Sequence, residues 1–557
     1  MSNPLELWNA YRTHLCDDIL HRVRQKSKNS EVQFTEEIFN EGLILLEDIV
    51  FTHGEKCLKE FGLPEPQRND SNIDNLLYLR ETVHNIDDLQ VYLQENEVKL
   101  NTEQKMVYDE IINSVEDHKG NIYFIDAPGG TGKTFVISLI LAKVRSQKKI
   151  AIAVASSGIA ATLLSGGRTA HSTFKLPLNV SLDQSSVCSV RKNGVTGKLL
   201  QQASLIVWDE CTMSHKSHID AVNRTLKDLR TSEKVMGGVT FVFTGDFRQT
   251  LPVVPKGTRA DIMKVCMKKS EIWQHVKKLR LTINMRVHLR GDKNLEQFAE
   301  YLLKIGDGSI SITQNGYINI SDIVGTCVRT IDQIIDNVYP DIQNLTQKET
   351  NWLCERAIVT AKNKAAEEIN EIVLQKVTTE CKTYKSIDTM VNGDEVIHYP
   401  IEFLNSLNPA GLPPHKLRLK VGTPIMLLRN LKPPRLCNGT RLQVKRLMPY
   451  IIEATILTGP AAGEIALIPR IPMVPTDLPF AFKRLQFPVR MCFAMTINKS
   501  QGQTFKVVGV DLRNEVFSHG QLYVGLSRIG STKDQTILIP DESNKTRNVV
   551  FTEVFND

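Results

Sequence analysis

Apolar positions fall into three textures along the chain. Over residues 36–50, EEIFNEGLILLEDIV sets Ile38, Leu43, Leu45, Leu46 and Ile49 at mostly helical spacing, and DNLLYLRETV predicts a second helix. The turn-rich FGLPEPQRNDSN separates the two. From about residue 100, short unbroken apolar runs alternate with amphipathic stretches. NIYFIDA (121–127), IAIAVAS (150–156), SLIVWDE (204–210) and TFVFTGD (240–246) read as strands, and KTFVISLILAKVRSQ (133–147) as a helix. Continuous apolar strands between helices imply a parallel sheet covered on both faces. A second such set begins at RAIVTAKNKAAEEIN (356–370) and resumes at QTFKVVGVDL (503–512). Between them KLRLKVGTPIMLLRNL, NGTRLQVKRL, IIEATILTG and EIALIPRI, punctuated by Pro and Gly, predict a small inserted β-barrel. The expected fold class is α/β, in four parts. These are a helical segment (1–95), a first unit (96–285, with a small insertion near 160–200), a second unit (286–380 plus 486–557) and the barrel-like insertion (381–485).

Length and composition then narrow the classes. A chain of 557 residues, 41% hydrophobic and 23% charged, is long enough for several cores and is not globally disordered. The net charge of +6 is mild, but it is unevenly spread. Residues 1–100 carry 10 basic and 19 acidic side chains, which leaves 58 basic and 43 acidic after them. A polyanionic partner should therefore meet the later part of the chain. Ten cysteines form no CxxC pair, which argues against a zinc knuckle or a disulfide scaffold and suits a reducing compartment. The start, MSNPLELWNAYRTHL, lacks a charged-then-apolar signal pattern, and no apolar run reaches the roughly 18 residues of a membrane span.

The sharpest chemistry lies in APGGTGKT (127–134), directly after the strand NIYFID and opening a helix. That is the context of a phosphate-binding loop. Its residues Ala127, Pro128, Gly129, Gly130, Thr131, Gly132, Lys133 and Thr134 would wrap a triphosphate. The glycines let successive N–H groups face phosphate oxygens, and the helix start adds its positive dipole end. Lys133 would reach the β and γ phosphates, and Thr134 would ligate Mg²⁺. Ala127 stands where the pattern has glycine, a substitution the loop should tolerate. WDECT (208–212) ends the next apolar strand but one: Asp209 would hold Mg²⁺ through water, and Glu210 would accept the proton of the attacking water. In TGDFRQTLPVV (244–254), Gln249 could sense the γ-phosphate and the lytic water. ATP with Mg²⁺ is the cofactor these residues call for.

Together these segments resemble the PIF-type (petite integration frequency) DNA helicases, RecD-like enzymes of superfamily 1, over about residues 98–545. LNTEQ (100–104) is similar to the adenine-reading motif, with Gln104 carrying the contact. VASSGIAATLLSGGRTAHSTFKLP (154–177) is similar to the first DNA-contacting block. WDECTMSHK departs from the family pattern at Cys211 and Thr212 but keeps Met213. LTINMR (281–286) offers Arg286 as a phosphate-contacting arginine, and MTINKSQGQTF (495–505) with QLYVGLSRI (521–529) resemble the last two helicase motifs, the second carrying Arg528. The wording of HSTFKLPLN, YPIEFLNSLNPAGLPPHKLRLKVGTPIMLLRNL, LCNGTRL and FPVRMCFAMTINKSQGQTFKVVGVDL is most similar to helicase domains of Helitron rolling-circle transposons. No His-x-His nuclease pair precedes it, so the chain reads as a detached helicase module whose residues 1–95 are a linker.

The resemblance implies two RecA-like motor domains, ATP in the cleft between them, and Arg286 and Arg528 closing that cleft. It further implies translocation on single-stranded DNA in the 5′→3′ sense, unwinding at DNA forks, and roles in recombination, repair, telomere upkeep or transposition. A monomer working on DNA, in the nucleus, is the family expectation. Two clusters suit phosphodiester contact: His171, Thr173, Phe174 and Lys175, with Phe174 as a base-stacking ring, and Thr496, Asn498, Lys499, Ser500 and Gln501. Neither carries a base-reading code, so sequence-nonspecific, salt-sensitive binding follows. His215 and His218 read as a solvated helix face, Met390–Val391 and PIMLLR as β core, and Trp208 as buried against the sheet. Two other readings stay open. One is an ATPase acting on RNA or on protein–DNA complexes. The other is a transposon relic that binds DNA without turnover, against which the presence of Lys133, Glu210 and Arg528 argues.

Overall fold

Two parallel sheets organise the chain. The computed structural model describes residues 3–556 other than 28–30, 55–57, 68–77, 79, 80, 178–185, 255, 256, 286, 288–292, 312, 314, 315, 321–323, 392–398, 434, 476, 477, 531 and 541. The first sheet is built from β1 (Ile122–Asp126), β2 (Ala151–Ala155), β3 (Arg168–Thr169), β4 (Leu205–Asp209), β5 (Thr240–Gly245) and β6 (Val276–Arg280). Its order is β3-β2-β4-β5-β1-β6, with every pair parallel. β2, β4 and β5 are buried along their whole length, as unbroken apolar runs require. Because β5 lies between β4 and β1, the loops that follow these three strands emerge side by side at the carboxyl edge. In open α/β sheets that edge is where ligands bind.

The second sheet is also parallel, in the order 494–496, 356–360, 507–511, 535–538, 326–328. Between its strands, Cys381–Lys385 to Val489–Met491 form antiparallel sheets of two, three and five strands. Among the described residues no single closed ladder joins them, so the predicted barrel is here a set of three sheets. Arg441 anchors this insertion. It is fully buried, and its guanidinium donates to the carbonyls of Leu353 (3.1 Å), Cys354 (3.3 Å) and Arg356 (3.0 Å) in the second unit. Arg484 is likewise buried, paired bidentately with Asp388 and bonded to the carbonyls of Leu404, Leu407 and Pro413, so its charge leaves water without losing its partners. Pro424–Leu427 is core as expected, whereas Val391 is 54% exposed and lies outside it.

At the N-terminus, helices Pro4–Leu15, Asp17–Ser27 and Glu36–Gly54 pack around Trp8, Cys16, Ile19, Ile38 and Leu43. The predicted helix DNLLYLRETV falls largely outside the described residues. The helix Ile86–Glu97 joins the first unit through Leu93, so the acidic segment reaches into that core rather than stopping short of it. Among the described residues no helix is long and apolar enough to cross a membrane.

Candidate nucleotide and nucleic-acid site

The loop after β1 bends as its glycines require. Gly130 and Gly132 have φ of 93° and 80°, in the left-handed region, and a Cβ on Gly132 would stand 2.5 Å from Gln104 Nε2. Ala127 is buried, is not left-handed, and donates its N–H to the Gly245 carbonyl at 3.1 Å, which explains why alanine serves there. Gly132 caps the helix Lys133–Ser146 without a side-chain partner for the helix's first N–H groups. An uncapped helix start of this kind favours an anion. Gln104 is buried: its Nε2 donates to the Thr131 carbonyl at 2.9 Å, and its Oε1 accepts the Asn101 N–H at 3.2 Å. The side chain expected to read adenine thus braces the loop.

Lys133 Nζ lies 2.8 Å from Asp209 Oδ1 and 2.6 Å from Glu210 Oε1. Burial opposes its charge, but these two carboxylates outweigh burial and raise its pKa. Asp209 Oδ1 also accepts the Glu210 N–H at 2.9 Å and the Thr244 hydroxyl. Burial raises the Glu210 pKa, Lys133 opposes the rise and Asp209 adds to it. Glu210 has φ of 51°, and its Oε2 is buried with no hydrogen-bond partner among the described residues. A strained, half-satisfied acid of this kind is poised to take a proton.

These groups line a cavity of about 350 Å³ that both units share. The first unit contributes the loop, Lys133, Thr134, Asp209, Glu210 and Gln249, and the second contributes Gly502, Thr504, Ser527 and Arg528. Arg528 is anchored at home: its Nε donates to the Val524 carbonyl (2.9 Å), Nη1 to Gln503 (3.2 Å) and Nη2 to Ser527 Oγ (2.8 Å). Arg286 lies outside the described residues. The described residues hold no cluster of three or more His, Cys, Asp or Glu able to bind a metal. Mg²⁺ asks for less, one or two protein ligands with substrate phosphate and water, and Asp209 and Thr134 fit that demand.

Gln501 was expected on nucleic acid, but it is buried between the units. It accepts the Thr250 hydroxyl at 3.0 Å and donates to Gln249 Oε1 at 3.4 Å. Phe174, expected to stack on a base, is 2% exposed, with its ring 5.5 Å from that of the fully buried Trp208, so it is core and offers no face to a base. Thr173 and Ser500 are buried too, and the Ser500 hydroxyl donates to the Ile497 carbonyl. His171, Lys175 and Lys499 are exposed, and Thr496 and Asn498 half-buried. His215 and His218 are half-buried rather than solvated, and the His171 and His218 rings lie 5.1 Å apart.

The loop after β5 is joined to the second unit by residues that sequence reasoning passed over. His519 is fully buried. Its Nδ1 accepts the Phe551 N–H at 2.8 Å, so Nε2 carries the proton it donates to the Phe247 carbonyl at 2.7 Å. A Cβ on Gly520 would meet the Arg248 carbonyl at 2.1 Å. Burial pushes the His519 pKa down to about 4. The neutral ring is the one that fits, so its contribution is whole above the ordinary pKa of about 6.5 and drains away as pH falls from there towards 4. Between pH 7.5 and 4.5 it should cost about 2–3 kcal/mol of stability. Denaturant titrations at the two pH values should show a loss smaller by that amount in His519→Gln. An equal loss in both proteins would remove His519 as its source.

Residues 99–316 match the family model described as PIF1-like helicase, and residues 402–447 the one described as DNA helicase Pif1, 2B domain. The chain is 24% identical over 471 residues to the ATP-dependent DNA helicase Pif1 of Psychrobacter sp., covering 75% of this chain and 66% of that protein. It is 25% identical over 513 residues to the ATP-dependent DNA helicase RRM3 of Saccharomyces cerevisiae, covering 81% and 66%. It thus spans just under two thirds of the length of these relatives. The fold is that of the Candida albicans Pif1 crystal structure (TM-score 0.55, 22% identity, 82% of this chain and 98% of that one). It is equally that of a Bacteroides Pif1 in complex with ADP-AlF3 and ssDNA (TM-score 0.56, 21% identity, 79% and 98%).

Proposed function

Since the chain belongs to the PIF1-like helicase family, we propose that it is an ATP-dependent DNA helicase, one that couples hydrolysis to translocation on single-stranded DNA and unwinding at forks. One observation carries the reading: Lys133, Glu210 and Gln249 of one unit and Arg528 of the other line a single cavity. Two lobes that share one triphosphate are pulled together when it binds and released when it is cleaved, and this is a hinge motion that can do work. The relatives' names and the DNA-bound Bacteroides structure favour DNA as the track.

The chemistry follows from the resting ion pairs. Lys133 pairs with both Asp209 and Glu210. A triphosphate attracts the ammonium away, and Glu210, already held above its ordinary pKa by burial, loses its counter-charge and becomes a stronger base for the attacking water. Gln249 orients that water, and Arg528 meets the charge that develops on the γ-phosphate. Bound Mg²⁺, held by Thr134 and by Asp209 through water, would supply further charge neutralisation. Gln104 would take up the adenine contact on binding.

DNA contact falls to His171, Lys175, Thr496, Asn498 and Lys499, the members of the two clusters that are not buried. Because one chain supplies both walls of the cavity, it can work as a monomer. The 5′→3′ sense, roles in recombination, repair, telomere upkeep or Helitron transposition, and a nuclear site rest on resemblance. The test is ATP turnover with single-stranded DNA, with RNA and with neither, followed by unwinding of duplexes bearing a 5′ or a 3′ tail. DNA-stimulated turnover and ATP-dependent opening of the 5′-tailed duplex are expected. Stimulation by RNA alone would reassign the track, and no turnover at all would leave the DNA-binding relic.

A further inference from the structure

Tyr523 belongs to the helix Gln521–Leu526 of the second unit, yet its hydroxyl ends on the first. It lies 2.9 Å from Asp246 Oδ2 and 3.4 Å from the Gly129 amide nitrogen. A carboxylate can only accept, so the phenol donates to Asp246 and its oxygen accepts the Gly129 N–H. Both side chains are buried, Tyr523 at 3% and Asp246 at 0% exposure, so water does not substitute freely for either bond. Asp246 Oδ1 in turn takes the Arg248 N–H at 3.0 Å, and Arg248 Nε pairs with Asp307 of the second unit at 2.7 Å. Gly129 lines the 350 Å³ cavity and also a hollow of about 60 Å³ that Tyr523 and Ser527 line with it. One amide of the phosphate loop is therefore held, across the seam between the units, by a phenol that also grips the start of the loop carrying Gln249.

We infer that Tyr523 is a positioning residue that reports occupancy of the phosphate loop to the Asp246–Gln249 loop and the second unit. A phosphate entering the loop competes for the Gly129 N–H. The phenol then bonds to Asp246 alone, and the joint between the units resets. Ligand binding at one site alters affinity at another only through such a differential contact, and the coupling is reciprocal. This inference rests on reading the cavity as the ATP site.

The test uses the full chain and a fluorescent dT oligonucleotide. Its affinity is measured with and without a non-hydrolysable ATP analogue and Mg²⁺, and analogue binding is measured separately. Tyr523→Phe removes one oxygen and keeps the ring. Analogue affinity should stay within about threefold, while the factor by which analogue changes DNA affinity should fall at least about fivefold towards one, measured at a temperature where an unfolding curve shows the variant folded. Asp246→Asn, which removes the charge that orients the phenol, should lower the same factor. A Tyr523→Phe protein with the full coupling factor overturns the relay and leaves the ATP site standing. A wild-type chain that binds no analogue overturns both.

Discussion

Lys133→Ala lowers DNA-stimulated ATP turnover by about 10³-fold or more, while DNA affinity in the absence of nucleotide stays within about threefold. The first half follows from position. Lys133 starts the helix behind the loop, lines the cavity, and is the cation that can follow a phosphate inward when it leaves Asp209 and Glu210. Without it, Arg528 is the one side-chain cation left among the described residues that line the cavity. The second half follows from distance in the fold. The exposed candidates for DNA contact, His171, Lys175 and Lys499, are not among the residues lining the cavity. The substitution also leaves two adjacent buried carboxylates without their ammonium, and removing one partner of a buried ion set costs about 3–5 kcal/mol. Turnover should therefore be measured well below the variant's melting temperature, beside a thermal unfolding curve. Turnover within tenfold of wild type on a folded variant would mean that the triphosphate is held elsewhere.

The phosphate site was legible because it is local. Each motif follows a strand whose apolar run is unmistakable, and the strand order places the three loops side by side. Ala127 could be accepted in advance, and its ordinary backbone conformation shows why. What the chain does not announce is which face of a motif is inward. HSTFK looked like a stacking platform because Phe174 stands among polar neighbours. Its ring instead packs on Trp208, a contact 34 residues away that no spacing reveals. Gln501 sits in a run of DNA-suited side chains, but its partners Gln249 and Thr250 belong to the other unit. His519 and Tyr523 escaped notice for the same reason: they lie within or beside QLYVGLSRI, whose arginine has an evident task, and their own partners are Phe247, Gly129 and Asp246. Side chains that join two units are the least legible, because their meaning depends on how separately folded surfaces meet.

Arg528→Lys should cost about 10³-fold or more in DNA-stimulated turnover, a loss of the order seen when an arginine finger is withdrawn. The guanidinium is fixed before any substrate arrives: Val524, Gln503 and Ser527 hold its nitrogens, and the cavity-facing side chain is 7% exposed. Donors fixed in advance stabilise a transition state without reorganising at the moment of reaction, and water excluded from the cleft strengthens them. Lysine keeps the charge but loses the planar fork, so it can satisfy the helix carbonyl or the phosphate but not both in one geometry. The substitution therefore separates roles that alanine would confuse, since Arg528→Ala also takes the donor from the Gln503 carbonyl and leaves the Val524 carbonyl with the Ser527 hydroxyl only. The expected signature in Arg528→Lys is a fall in kcat with KM for ATP changed by less than about fivefold, because the interaction is made mainly in the transition state. A kcat within tenfold of wild type would leave Arg528 as a brace for its own helix. Among the described residues lining the cavity, the second lobe would then bring no charge to the triphosphate, and the release that drives the stroke would have to come from another group.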